Sequence, residues 1–121
     1  MLKKTQTFND GLVKIYAVEN IAENGAMPVE KLKIKQQLRY HERTVGYGRF
    51  WTALQNNVRV KYVLRCQRLR EISTQDIAIP NDGKQYRIIQ VQYPEDITPP
   101  VMDLTLEKLE QEFVEVDDEL E

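Results

Sequence analysis

Apolar and polar residues alternate along most of this chain with the two-residue period of a β-strand. The clearest case is residues 58–68, where valine, tyrosine, leucine and cysteine alternate with mostly basic side chains. Four other segments with this period span residues 12–21, 31–41, 85–93 and 101–109. A shorter alternation at residues 76–80 ends at a proline. The pattern predicts five to six strands.

A short helix is predicted between the second and third strands. Phe50, Ala53 and Leu54 are three and four residues apart, so they share one helix face, and Trp51 lies at its edge. The pattern spans about residues 48–56, and the asparagines at its end suit a helix terminus.

Three signals interrupt the strands. Residues 81–84, Asn-Asp-Gly-Lys, are the strongest turn sequence and predict two or three residues with positive φ. The apolar phase of the fourth strand changes at Ile88-Ile89, which predicts a bulge or burial on both faces. Residues 94–100 contain three prolines and predict a loop that breaks any strand.

These elements predict a mainly β fold, a small antiparallel β-barrel or sandwich with one short α-helix. At 121 residues the chain forms a single domain. We place the β-barrel core at residues 8–110 and an acidic C-terminal tail at 111–121. The tail is expected to be frayed on its own, with isolated apolar residues that dock on a partner.

Charge is divided unevenly along the sequence although the formal net charge is only −2. Residues 31–70 hold eleven Lys or Arg and one acid, whereas residues 95–121 hold eleven Asp or Glu and one Lys. A subunit with a basic flank and an acidic end is suited to head-to-tail contact with copies of itself. The alternative is a pair of solvated faces and a disordered tail.

The residue types needed for catalysis are sparse, and we expect no enzymatic activity. His41 is the only histidine and has no nucleophile signalled nearby, and Ser73, the only serine, lies in no strained glycine elbow. Cys66, the only cysteine, falls on the apolar face of a strand and is interpreted as a core residue. We expect no metal and no cofactor. We also expect no membrane contact, since no segment approaches roughly 20 consecutive apolar residues.

A nucleic-acid-binding module is the alternative function. Basic residues of the second and third strands would line a groove for the backbone. However, Tyr40 and Tyr62 share the apolar phase of their strands, so they are predicted to point into the core, away from the lysines. An electrostatic surface that DNA passes fits this arrangement better than a stacking platform does.

Several short motifs carry a resemblance to a known family. They are an aromatic-alanine-glutamine helix (residues 50–55), a strand ending in Val-Leu-Arg (63–65) and an extended Ile-Ala-Ile segment (77–79). They also include a turn-then-strand pattern, "polar-Gly-x-x-Tyr-x-Ile-x-x-Val", through Gly83, Tyr86, Ile88 and Val91. Over residues 10–110 this order resembles the head–tail joining proteins of tailed bacteriophages, also called head–tail adaptor or head-closure connector proteins.

The resemblance implies a small β-barrel that assembles as a homo-oligomeric ring under the portal protein. Such a ring joins portal and capsid to the tail or stopper proteins, and it lines or closes the channel for double-stranded DNA. It implies a structural protein of the virion, encoded by a phage or prophage and made in the bacterial cytoplasm, without enzymatic activity or cofactor. Its working parts would be the segments 1–10, 22–30, 69–76, 94–100 and 111–121.

Two sets of charged residues are the predicted contact sites. The candidates for an inter-subunit or DNA-facing surface are Lys31, Lys33, Lys35, Arg39, Arg49, Arg59, Lys61 and Arg65. The candidates for an acidic partner surface are Glu112, Glu115, Asp117, Asp118 and Glu119.

Overall fold

The computed structural model describes residues 4–20, 30–43 and 60–119, and about 60% of these residues lie in strands. In chain order the strands are β1 (Lys4–Thr5), β2 (Gly11–Asn20), β3 (Glu30–Glu42), β4 (Val60–Gln67), β5 (Ile77–Ile79), β6 (Tyr86–Gln92), β7 (Ile97–Thr98), β8 (Val101–Lys108) and β9 (Val116–Asp117). The mainly β prediction is confirmed. The described ranges contain no helix, and the helix predicted at 48–56 lies outside them.

Seven strands form one sheet in the order β2-β5-β6-β8-β4-β3-β9, and β2 also pairs with β3. Each pairing from β2 through β5, β6, β8 and β4 to β3 is antiparallel. These six strands therefore form a closed cycle of pairings in which each has a partner on both sides, which protects their edges. Only the two-residue strand β9 extends beyond the cycle, in parallel to β3.

The main core lies on one face of these six strands. Its fully buried members include Ile15 on β2, Leu64 and Cys66 on β4, and Leu104 and Leu106 on β8. On β4 and β8 the period-two pattern predicted this face correctly, and the inward positions of Cys66 and Tyr40 are also confirmed. The burial of apolar area that it represents is the largest favourable contribution to folding.

A register shift in the β2–β3 pair moves the apolar residues from one face to the other. Ile15 pairs with Gln36, but the next residue, Tyr16, pairs with Ile34. The bulge thus leaves Lys35 without a cross-strand partner, and it reverses the alternation on β3. The unbroken two-residue period predicted for residues 31–41 would place Ile34 and Leu38 on one face, and this is wrong, because their partners Tyr16 and Val13 lie on opposite faces.

A second apolar cluster lies on the face opposite the main core. Tyr16, Leu32, Ile34 and Ile77 are buried there. The chain after β8 crosses this cluster, and its apolar residues Leu109, Phe113 and Val116 pack against it. The described part of the acidic tail, residues 111–119, is therefore docked on the protein's own sheet, in contrast to the frayed segment expected from the sequence.

The predicted interruptions are mostly correct. The register of β6 against β8 shifts between Ile88 and Gln90, which confirms the bulge. Residues 81 and 82 form a turn, but Gly83 is the one residue there with positive φ, at 74°. The prolyl segment is not entirely a loop, since β7 pairs in parallel with β1 and the Gln6 N–H donates to the Thr98 carbonyl at 2.9 Å.

Candidate interaction surface

The eight predicted basic residues do not form one exposed face. Arg49 and Arg59 lie outside the described residues. Arg65 is buried, Lys33 and Lys35 are paired within the chain, Lys31 is half-buried, and Arg39 and Lys61 are exposed. In the described ranges, the exposed positive charge is thus limited to scattered positions.

Arg65 belongs to a buried charge network on β4 and β8. Its Nε donates to Asp103 Oδ1 at 2.8 Å and a terminal nitrogen donates to Asp103 Oδ2 at 3.0 Å. Arg43 donates to the same Oδ2 at 3.0 Å, and Gln6 accepts from the other terminal nitrogen of Arg65 at 3.2 Å. A bidentate pair of this kind holds a guanidinium firmly, so Arg65 is a structural residue in this arrangement.

Lys35 is held by the loop after β4. Its Nζ lies 2.9 Å from the buried carboxylate of Asp76 and 2.6 Å from the Glu71 carbonyl oxygen. Asp76 also accepts from the Ser73 N–H at 2.9 Å. The bulge that removes Lys35 from the strand register allows this contact, which ties β3 to residues 71–76.

The acidic tail meets the basic strand β3 within a single chain. Asp117 lies 3.5 Å from Lys33 Nζ, and the Glu115 carbonyl accepts from the Leu32 N–H at 2.9 Å. Tyr16 donates its hydroxyl proton to Asp118. The Glu119 N–H donates to Asp117, and this bond, with a further contribution from Lys33, lowers the pKa of the Asp117 carboxyl.

Gln85 fixes the middle of the tail. Its side-chain amide donates to the Phe113 carbonyl at 2.9 Å and accepts from the Phe113 N–H at 2.7 Å. The Gln85 backbone N–H donates to the Glu112 carboxylate at 3.3 Å, and its carbonyl accepts from the Leu109 N–H at 3.2 Å. One buried side chain thereby satisfies both backbone groups of Phe113 and positions the ring on the second cluster.

Val114 is the most exposed large apolar residue among the described ones. It follows the anchored Phe113 and is 95% exposed. Glu112 and Glu115, which flank it, are also exposed. The tail therefore presents an apolar tip between two carboxylates.

A cleft of about 420 Å³ opens beside the tail on the outer face of β2 and β5. Leu12, Ile79 and Pro80 give it an apolar floor, and Lys14 lines one side. Arg39 pairs with Leu12 across β2 and β3, so the two side chains project from the same face. Neither Lys14 nor Arg39 forms an ion pair with another described residue.

Three tyrosines surround Asp82 at the 81–84 turn. Tyr86 and Tyr62 both donate to one carboxylate oxygen of Asp82, at 2.6 and 3.2 Å, and their rings meet edge to face with centroids 5.3 Å apart. Burial, Asp82 and neighbouring groups raise the pKa of both phenols, and burial also raises that of Tyr40. Tyr40 and Tyr62 point inward, as predicted, but the carboxylate between them was missed because it lies in a turn 20 residues from Tyr62.

Tyr93 lies between two arginines at the end of β6. The guanidinium carbons of Arg68 and Arg70 are 5.2 and 5.0 Å from its ring centroid, within the range of cation–π contacts. Arg68 also donates to the carbonyls of Pro94 and Val101 at 2.9 and 3.0 Å. The sequence analysis missed this cluster, since its members come from separate segments with no common period.

The structure gives the remaining candidates for chemistry ordinary structural roles. His41 Nδ1 lies 3.1 Å from Asp10, whose carboxylate also accepts from the Glu42 N–H at 2.7 Å. Cys66 is fully buried, and burial together with Asp103 raises the pKa of its thiol to about 12, so the reactive thiolate is disfavoured. The described ranges hold no group of three or more His, Cys, Asp or Glu side chains that could bind a metal ion, and they contain no helix that could span a membrane.

Replacing Gln85 by alanine is expected to release the tail. The change removes two hydrogen bonds to Phe113, each of which contributes about 0.5–1.5 kcal/mol. Cleavage after Glu112 and Glu115 by a Glu-specific protease should then become at least about fivefold faster, a factor that corresponds to about 1 kcal/mol. Lys84→Ala is the matched control, since its exposed neighbouring side chain makes none of these contacts. Equal cleavage of both variants would contradict the role assigned to Gln85.

No family model matches the chain, and no curated protein matches it. We therefore infer its function from the contacts, burial and charges described above, together with the sequence resemblance.

Proposed function

We propose that this chain is a structural subunit of a phage or prophage head–tail connector ring. In this proposal the closed cycle of six antiparallel strands forms a small β-barrel. The ring joins the portal protein to tail or stopper proteins, and it extends or closes the DNA channel. The chain acts through its surfaces and not through catalysis.

The observation that carries the proposal is the separation of two unlike surfaces on one subunit. The tail, held on the sheet by Gln85, presents Val114 between exposed acids. A different part of the sheet offers an apolar cleft beside Lys14 and Arg39. A subunit whose two contact surfaces differ and complement each other assembles head to tail, and a ring results when the rotation closes.

An exposed basic residue outside the cleft supplies a route for DNA past the ring. Lys61 is exposed and forms no ion pair with another described residue. Isolated lysines and arginines facing a channel attract phosphates without fixing a sequence or register. This suits a lining along which packaged DNA must slide.

Deleting the gene from its phage or prophage tests the proposal. Loss of a connector subunit should leave DNA-filled heads and free tails that do not join, visible by electron microscopy after induction. Adding the purified protein to that lysate should restore infectious particles. Normal virions from the deletion strain would refute the connector function.

The Arg68–Tyr93–Arg70 cluster favours a second candidate, a nucleic-acid-binding module. An exposed aromatic ring between two guanidinium groups offers both stacking and phosphate contact. Such a module would bind single-stranded oligonucleotides with strong salt dependence, and its deletion would leave virion assembly intact. The same strain therefore separates the two functions.

A further inference from the structure

We propose that the Val114 tip of one subunit inserts into the cleft on the outer face of β2 and β5 of a second copy of this chain. The tip is the segment Glu112–Glu115, and the cleft is the one lined by Leu12, Lys14, Ile79 and Pro80. This inference rests on the proposed function for its partner, the neighbouring ring subunit. Its experiment needs only the purified protein, so the two can fail separately.

The tip is a preorganised apolar anchor. Exposed valines are common singly, but this one lies at a bend of the tail between two fixed residues. Gln85 binds both backbone groups of Phe113, and the Glu115 carbonyl accepts from the Leu32 N–H. Because Phe113 is already fixed by Gln85, docking Val114 costs little additional chain entropy. Burial of a side chain that is 95% exposed removes apolar surface from water at the centre of the contact.

The cleft complements the tip in shape and in charge. Leu12, itself 42% exposed, lies with Ile79 and Pro80 on an apolar surface that is open to solvent. Lys14 lines the cleft, and Arg39, the cross-strand partner of Leu12, projects from the same face as Leu12. Glu112 and Glu115 flank the anchor, so two carboxylates meet two cations that lack an ion-pair partner among the described residues.

A chain does not fill its own cleft with its own tip. The tail residues that border this cleft are Val116 and Asp118, whereas Val114 borders two other clefts, beside Lys31 and beside Glu30. Within the described part of the chain, the donor and acceptor surfaces of one subunit therefore do not cover each other. Contact between unlike surfaces continues from copy to copy, and it ends only when a ring closes.

Engineered cysteines test which surfaces meet. A chain carrying Leu12→Cys and Val114→Cys should form a ladder of disulfide-linked dimers, trimers and higher species under mild oxidation. Buried Cys66 does not compete for these disulfides. Each single variant should form dimers at most. The matched control is the double variant Leu12→Cys with Val18→Cys, since Val18 is also an exposed valine but lies on β2. Absence of the ladder, or an equal ladder from the control, would overturn the proposal.

A mixing experiment separates this contact from other modes of association. Val114→Asp removes the donor surface and Leu12→Asp removes the acceptor, and each should weaken self-association at least about tenfold in sedimentation velocity. An equimolar mixture should form dimers and nothing larger. The intact tip of the Leu12→Asp chain binds the intact cleft of the Val114→Asp chain, and the two remaining surfaces of that dimer are both inactivated. Wild-type protein that stays monomeric, or variants that still assemble beyond the dimer, would show that a different partner or surface is used.

Discussion

Alkaline solution is expected to unfold this protein steeply. Tyr16, Tyr86 and Cys66 are almost completely buried, and each is an acid that the fold holds in its protonated form. Burial is the largest cause in each case; Asp118 raises the pKa of Tyr16 further, and Asp82 and Tyr62 raise that of Tyr86. The pKa of Cys66 rises from 9.0 to about 12.

The sign follows from the raised pKa values. Below pH 9 all three groups are protonated in both states, so their contribution to stability is complete. Above the unfolded pKa of each group, 9.0 for the thiol and 10.0 for the phenols, the unfolded chain releases protons that the folded chain retains. The free energy of unfolding then falls by about 1.4 kcal/mol per pH unit for each group, or about 4 kcal/mol for all three above pH 10.

Urea unfolding at a series of pH values measures this loss. Small domains are stable by about 5–15 kcal/mol, so the urea concentration at the midpoint of unfolding should fall to zero within roughly one to three pH units above 10. Tyr86→Phe should reduce the slope by about 1.4 kcal/mol per pH unit, although it also removes the hydrogen bond to Asp82. Val114→Ala, at an exposed side chain that does not titrate, should leave the slope unchanged. A flat profile for the wild type up to pH 11 would contradict the expectation.

The period-two pattern located the long strands because alternation is a local property of the backbone. It could not show which outward-facing positions become buried, because that depends on residues far away in the sequence. Arg65 reads as one of a row of outward basic residues, yet it pairs across β4 and β8 with Asp103, which lies 38 residues away. A cross-strand register decides that position, and no local spacing contains it.

The tail shows the same limit. Phe113 and Val116 stand isolated among acids, which is typical of a segment that stays unfolded alone. Their docking surface includes Leu32 and Ile34, which a bulge on β3 turns away from the main core. The sequence predicted that the basic strands and the acidic tail are complementary in charge. Lys33 and Asp117 form such a contact within one chain. The tip that remains outside is Val114, which no periodicity singles out.

Removing the carboxylate of Asp103 is expected to be the most damaging single change on the charged side of the sheet. The side chain of Asp103 is only 4% exposed, and that of Arg65 is 11% exposed. Asp103→Ala leaves the Arg65 guanidinium buried without its counter-charge. Breaking a buried pair in this way costs about 3–5 kcal/mol, because the desolvation of the remaining ion is no longer offset.

A matched pair on the same sheet isolates the effect of burial. Arg87 and Glu107 are 2.9 Å apart, and the Arg87 side chain is 56% exposed whereas that of Glu107 is 14% exposed. Glu107→Ala removes a carboxylate, as Asp103→Ala does, but the ion that it leaves is open to water, so loss of this pair should cost about 0–1 kcal/mol in urea unfolding at neutral pH. If Asp103→Ala cost no more than this control, water would have to reach the Arg65–Asp103 pair.

Replacing both partners distinguishes the cost of a lost contact from the cost of an orphaned charge. Arg65→Met combined with Asp103→Leu removes the pair and leaves apolar side chains of comparable volume between the strands. Such replacements are often neutral or stabilising by about 1–4 kcal/mol, so the double variant should recover most of the stability that Asp103→Ala loses. Arg43, the other partner of Asp103, is 45% exposed and can turn to solvent. A double variant as unstable as Asp103→Ala would instead mean that β4 is held to β8 by the two hydrogen bonds of the Arg65–Asp103 pair, and that the instability of Asp103→Ala does not come from an orphaned buried charge.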